Sequence, residues 1–399
     1  MTDVFIQLFI VLSLTLFSIR WILPSLIKMS KLHPRKLPGY RPKVSALMSC
    51  FNEGEDVYHT LVSLANVDYP KGLLEIIAID DCSTDKSFEW MQKAAKEYPG
   101  IIKVIKNKHN SGKHRNILAG AEMSTGEIIL ATDSDLVYDK NVLIELVESF
   151  YIPSIGAVGG VVGIKNPNDN VMTQWQTMIY HYGFNLWKMP ESRLRTVFCI
   201  SGCLFAIRRK IFDEIKDKIA SRNWFGIEVK GGEDRYMTHQ VLMAGYDTIV
   251  NTYAKCYTSA PNKLTKLFMQ QLRWKRSGLM MYFWALARPV EHTKRFALPS
   301  LALLLFPPTL SLTVLGVYTS AIISGDIGFT LINKFVFTIM IFTCVSLASI
   351  IILYKYDSRQ ALTGVLFLPA LMFWYVVMDQ FFLPLLALLT LDEKGWSSR

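Results

Sequence analysis

The sequence predicts an α/β domain with a mostly parallel sheet, joined to a bundle of transmembrane α-helices. Three observations carry this. β-branched runs alternate with helical segments from Lys43 onward, acids stand at the ends of the strands, and apolar stretches long enough to span a bilayer flank the domain on both sides. Bulk properties agree: at 51% hydrophobic residues, 12% aromatic residues and a mean hydropathy of +0.25, the chain is too apolar for an ordinary soluble enzyme. Its middle is too charged for a pure membrane bundle.

The apolar stretches are Val4–Leu23, Leu298–Ile323, Leu331–Tyr354 and Leu362–Leu391, judged against the roughly 20 residues that cross a bilayer. The first follows MTD rather than a basic leader. It ends in Arg20, Trp21 and a basic run rather than a small-residue cleavage site, so an anchor is expected and not a signal peptide. Lys28, Lys31, Arg35, Lys36, Arg41 and Lys43 then place the middle segment in the cytosol and both termini outside, and Lys355 and Arg359 in the loop before the last stretch agree. The expected organisation is an N-terminal transmembrane helix over 1–26, a cytosolic α/β domain over 43–262, interfacial amphipathic helices over 263–296 and three transmembrane helices over 297–392. Pro307, Pro308, Pro369 and Pro384 are expected to kink these helices, and Asp379, an acid inside an apolar stretch, to face a cavity or partner.

The net charge of +10 is partly this orienting charge, and no nucleic-acid module accompanies it. None of the six cysteines forms a C-x-x-C pair and the seven histidines fall in no ligand cluster, so reduced thiols and no zinc site are expected.

Within the middle segment, VSALMSCF, LEIIAIDD, IIKVIKN and GEIILATDSD read as buried strands, with helices around Glu55–Ala65 and Ser87–Glu97 between them. Ligands of such sheets sit at the carboxyl ends of the strands, which is where Asp80, Asp81, Asp133 and Asp135 fall. If the chain stays extended, Asp133 and Asp135 project to one side and suit a hard divalent ion, Mg²⁺ or Mn²⁺. The same D-S-D reads equally as a turn whose acids cap a helix starting near Asn141. In VKGGEDRYMTHQ, Gly231 and Gly232 would let backbone approach a ligand, and Glu233–Asp234 open an amphipathic helix. Acids there complement the helix dipole or supply a general base. The stretch FMQQLRWKRSG, Phe268–Gly278, reads alone as a membrane-surface helix with Lys275 and Arg276 toward headgroups. The aromatics Trp175, Tyr180, Tyr182 and Trp187 of Asn170–Trp187 serve either as sugar-stacking groups or as an interfacial belt.

Taken in order, IDD, TDSD, SGCLFAIRR, GGED and QQLRW resemble glycosyltransferase family 2, and more narrowly its processive membrane-embedded branch of hyaluronan, chitin and rhizobial chitooligosaccharide synthases. The resemblance runs from about Lys43 to Ser277 and extends to the flanking apolar stretches. It implies a GT-A-type, Rossmann-like fold and a UDP-sugar donor held with Mg²⁺ or Mn²⁺. By the resemblance, Phe51 packs on uracil where Tyr is usual, Asp81 accepts from the uracil edge, Lys113 reaches the phosphates, and Asp135 with Asp133 holds the metal. Asp234 is then the catalytic base and Glu233 organises its surroundings. The Q-x-x-R-W element falls on Gln270, Arg273 and Trp274, where Arg273 forks onto the diphosphate and Trp274 meets diphosphate and acceptor. Ser201, Gly202 and Cys203 line the acceptor site, with Cys203 in a position often held by proline.

The resemblance implies inverting transfer onto a growing polysaccharide that leaves through the protein's own membrane helices, among membrane lipids and with no nucleic-acid partner. A non-processive transferase acting on a lipid or polyprenyl-phosphate acceptor is the alternative; such enzymes commonly lack Q-x-x-R-W. A non-catalytic transporter or scaffold is opposed by the joint presence of Asp81, Asp135, Asp234 and Arg273.

Overall fold

The computed structural model describes residues 38–224, 227–228, 231–286 and 382–390, with isolated positions at 7, 8, 11–13, 15, 16, 305, 309, 312, 316, 319 and 378. The chain divides into two compact units, Met29–Asn262 with Lys394–Arg399, and Met1–Lys28 with Lys263–Glu393. Among the described residues no helix is long and apolar enough to cross a membrane. Most residues of the four apolar stretches, Asp379 among them, lie outside the described residues.

The strands of the first unit are β1 (Val44–Cys50), β2 (Leu74–Asp80), β3 (Ile102–Lys106), β4 (Ile128–Thr132), β5 (Val137–Tyr138), β6 (Ile155–Ile164), β7 (Phe205–Arg208), β8 (Asn223–Trp224), β9 (Ile227–Glu228) and β10 (Asp247–Thr258). Eight of them form one sheet in the order β3-β2-β1-β4-β7-β6-β10-β5, and β8 pairs with β9 apart from it. The helices are α1 (Asp56–Ala65), α2 (Ser87–Glu97), α3 (Lys113–Met123), α4 (Val142–Val147), α5 (Val171–His181), α6 (Lys188–Arg193), α7 (Arg209–Ala220) and α8 (Glu233–Met243). Strands β1 and β4 are buried along their whole length, so both faces of the sheet are covered and their sequences are continuous apolar runs. Helix α7 shows the complementary pattern: Ile211, Phe212, Ile215 and Ile219 recur at helical spacing and are the buried residues of an otherwise charged segment.

The sheet is mostly parallel, as expected, with three antiparallel pairings that the sequence does not announce. Pairings β1–β2, β1–β4, β2–β3 and β6–β10 are parallel, whereas β4–β7, β6–β7 and β10–β5 are antiparallel. A strand buried on both faces reads as an apolar run in either direction, so direction is not legible in it. The reversal matters for the site. Because β7 runs against β4 with Phe205 opposite Ala131, the segment Ser201–Cys203 before β7 reaches the same sheet edge as Asp133 after β4.

Between Val250 and Lys255 the β6–β10 register slips. Gly160 lies against this irregularity, and a Cβ there would stand 2.5 Å from both the Ala254 carbonyl oxygen and Leu204 Cδ1. Gly160→Ala is expected to push the strands apart and cost about 1–3 kcal/mol, read as a lowered midpoint in thermal or denaturant unfolding.

In the second unit, α9 (Leu264–Leu286) is one continuous helix, and α10 covers Leu383–Leu389. Leu272 packs with Leu383 and Ala387 in a small cluster that Phe268 and Leu279 join. Pro384 falls in the first turn of α10, where a missing N–H costs no helical bond.

Candidate active site

The site begins with Asp81, the residue after β2. Its carboxylate is wholly buried and accepts from Asn107 Nδ2 at 2.9 Å and from the backbone N–H groups of Ser111 and Gly112, each at 2.8 Å. Asn107 Nδ2 also donates to Asn116 Oδ1 (2.8 Å), and Asn116 Nδ2 donates to Ser49 Oγ (2.8 Å). Gly112, at φ +86°, caps α3 in a conformation that L side chains rarely adopt. Asp81 thus ties down the loop that opens α3, and most of its acceptor capacity is spent there.

Lys113 is the first residue of that helix. Its ammonium forms ion pairs with Asp133 Oδ1 and, at 3.1 Å, with Glu233 Oε1, and its side chain is only 6% exposed. Burial pushes its pKa down, but the two carboxylates outweigh burial and raise it, so it stays charged. The sequence-level expectation sends Lys113 to phosphates; here it joins the end of β4 to the start of α8.

The D-S-D segment is not extended. The chain bends at Ser134 and Asp135, and the two acids take different partners. Asp133 Oδ2 accepts from Cys203 Sγ at 3.2 Å, while Asp135 Oδ2 accepts from Thr258 Oγ1 at 2.7 Å, at the end of β10. The N-cap residue of α4, Asn141, makes no side-chain cap bond. Two partly exposed carboxylates are a hard-oxygen donor set, and among the described residues no group of three or more His, Cys, Asp or Glu could hold a metal ion. Such a pair fits an ion of the Mg²⁺ kind, which takes one or two carboxylates and completes its shell with water and phosphate oxygens.

Asp234 stands in the first turn of α8, after Gly232 in the left-handed conformation at φ +70°. Its Oδ2 accepts from Gly202 N–H at 3.0 Å and its Oδ1 from Arg235 N–H at 2.7 Å. Burial, then the Glu233 charge beside it, push the Asp234 pKa up. Glu233 is pushed up by burial too, but Lys113 and Arg222 pull it below the usual carboxylate range. Two neighbouring acids are therefore set apart, one held as an anion and one raised toward the range of a working base. Thr238, fully buried, fixes the arrangement: its Oγ1 donates to the Asp234 carbonyl at 2.7 Å and accepts from Ile200 N–H at 3.0 Å.

Ser201, Gly202 and Cys203 accordingly bridge the acids of β4 and α8. A Cβ on Gly202 would meet Lys113 Nζ at 3.0 Å and Asp234 Cβ at 3.4 Å. The Cys203 carbonyl accepts from Thr132 Oγ1 at 2.7 Å, a contact a proline would keep, while the thiol contact to Asp133 is peculiar to cysteine. Phe51 follows β1 directly and is half-buried. Asn107, Asn116, Thr238 and Thr258 also belong to this site, and the sequence does not mark them: small polar residues at buried or half-buried positions carry no local signal of their own.

Gln270, Arg273 and Trp274 lie on α9 in the other unit. At about 100° per residue they share one helix face, opposite Phe268, Leu272 and Leu279. Trp274 is 40% exposed. Arg276, expected toward headgroups, donates from Nε to Thr390 Oγ1 at 2.9 Å, just after α10. Among the aromatics of α5, Trp175 is buried and Tyr180, partly buried, packs against the core; the side chains of Tyr182 and Trp187 lie outside the described residues.

Residues 45–216 match Glycosyl transferase family 2. An N-acetylglucosaminyltransferase of Azorhizobium caulinodans is 28% identical over 373 residues, covering 90% of this chain and 87% of that protein. One of Neorhizobium galegae is 28% identical over 364 residues, covering 91% and 81%, and one of Rhizobium meliloti is 30% identical over 246 residues, covering 61% and 58%. A mannosyltransferase from Pyrobaculum calidifontis, solved in complex with GDP-Man and Mn²⁺, shares the fold with a TM-score of 0.60 at 18% identity, over 90% of this chain and 97% of that one. The chain is an enzyme, a glycosyltransferase with a GT-A-like catalytic unit. Its reaction class is the transfer of a hexosyl group.

If Asp234 takes the acceptor proton it must be unprotonated to act, so kcat/KM for transfer is expected to rise with pH through the raised Asp234 pKa, above the 3.8 of an ordinary aspartate. Glu233→Gln removes the neighbouring negative charge and should move that acid limb to lower pH. Kinetics measured across pH for both proteins check the sign.

Proposed function

We propose that the chain is a processive, inverting β-glycosyltransferase that polymerises sugar from a UDP-sugar, UDP-GlcNAc with or without UDP-GlcA, and passes the polymer through its own membrane helices. The placement of Asp234 carries the reading: a carboxylate with a raised pKa, gripped by Gly202 and Arg235 N–H groups, beside the acids at the end of β4. The N-acetylglucosaminyltransferase names of the relatives support the donor, and Gln270, Arg273 and Trp274 on one face of α9 support the processive branch. The apolar stretches flanking the catalytic unit support an integral protein of the cell membrane, with the catalytic domain cytosolic and both termini extracytoplasmic.

In this reading the acceptor hydroxyl attacks the anomeric carbon from the face opposite the leaving group. The new C–O bond forms as the bond to the UDP β-phosphate oxygen breaks, and the hydroxyl proton passes to Asp234. The configuration inverts and no covalent intermediate forms. Glu233, held as an anion by Lys113, keeps the site electrostatically poised for Asp234 to take that proton. Asp133 and Asp135 would hold Mg²⁺ or Mn²⁺, which when bound neutralises charge on the departing diphosphate. By the Q-x-x-R-W resemblance, Arg273 would offer two further donors to a diphosphate.

The test supplies membranes with labelled UDP-GlcNAc, UDP-GlcA or UDP-Glc and Mg²⁺ or Mn²⁺. The product is then treated with chitinase or hyaluronidase. A polymer cleaved by one of them is expected; a solvent-extractable product points to a lipid acceptor instead, and no product from any donor overturns the reading. Asp234→Asn should lower turnover by about 10²–10⁴-fold while UDP binding, followed by titration calorimetry, is retained.

A further inference from the structure

Asp133, at the end of β4, already has a cation, and it belongs to the chain. Lys113 Nζ lies between Asp133 Oδ1 and Glu233 Oε1, with Gly202 so close that a Cβ there would stand 3.0 Å from the ammonium. The members of this triad differ in access. The Lys113 side chain is 6% exposed and that of Glu233 10%, but that of Asp133 is 33% exposed. An ion from solvent therefore reaches Asp133, while Glu233 stays behind with the lysine.

A divalent ion arriving at Asp133 and Asp135 meets the ammonium as a like charge at very short range, and water screens the buried ammonium poorly. Two things relieve it: the ammonium retreats to Glu233 alone, or an anion arrives to take it. The donor's diphosphate is such an anion. We propose that Lys113 is a resident counter-cation that holds Asp133 against the metal until a nucleoside diphosphate arrives, so that metal and nucleotide enter as a pair. This rests on the reading of Asp133 and Asp135 as the metal-holding carboxylates. The intervening Thr132–Asp135 segment ties the two acids to one bend, so displacing the lysine at Asp133 bears on both.

Metal affinity without nucleotide is the direct readout, because free UDP binds the ion itself. Full-length protein in detergent is titrated with Mn²⁺ alone and followed by electron paramagnetic resonance. Lys113→Met should bind Mn²⁺ about tenfold more tightly than the unaltered protein, within the usual range of coupling between sites. Lys113→Arg, which keeps a cation, should not. Arg235→Met removes a positive charge beside Asp234 but not one paired with Asp133, and should leave the affinity within about twofold. Lys113→Gln gives the same comparison if the methionine variant does not unfold cooperatively. Repeating the titration with UDP should show a smaller gain for Lys113→Met than for the unaltered protein. Equal Mn²⁺ affinity in the lysine variants, or an equal tightening in Arg235→Met, overturns the proposal and leaves the metal reading standing. No Mn²⁺ binding by any of the proteins, with or without UDP, overturns both.

Discussion

Burying an ammonium costs several kcal/mol unless carboxylates meet it, and Lys113 meets two. Each partner comes from a different part of the chain: Asp133 ends a strand and Glu233 opens a helix. The lysine opens a third element, held in place because Asp81 grips the preceding loop through two backbone N–H groups and Asn107. Removing the ammonium would leave Glu233 buried without its cation, while removing either carboxylate would leave the lysine a single partner. The ammonium therefore fixes the separation of β4, α3 and α8 more firmly than apolar packing alone, because a carboxylate–ammonium contact tolerates less displacement than a methyl–methyl one.

Sheet direction determines which loops can meet this lysine. With β7 reversed between β4 and β6, the Ser201–Cys203 segment arrives at the edge where β4 ends, and β10, parallel to β6, brings Thr258 to Asp135. A wholly parallel sheet of the same strands would deliver the start of β7 to the opposite edge. Gly202 N–H would then be unavailable to Asp234. The mixed topology is in this sense part of the chemistry.

What could be read beforehand follows from how local each signal is. Strands β1, β2 and β4, helix α2 and the acids at strand ends are written in contiguous residues, and the structure places them close to where the pattern puts them. The start of α8 was legible in GGED for the same reason, with the difference that Gly232 is needed for its left-handed backbone whereas Gly231 faces open space. The pairing of Lys113 with Asp133 spans 20 positions and depends on where α3 begins, which in turn depends on Asp81. No local pattern announces such a chain of dependence. Strand direction and the buried Asn107–Asn116–Ser49 relay were silent for a related reason: both are properties of pairing, not of composition.

The family match ends at residue 216, before Glu233, Asp234 and Thr258 and before β10, the strand against which β6 is laid. The recognisable block and the working unit are therefore different objects. A catalogue that sorts sequences by that block alone would file together chains that kept the Asp234 carboxylate and chains that lost it, and a fragment cut at its edge would expose one side of β6. Inventories of such enzymes gain meaning when they extend about forty residues further, to the end of β10.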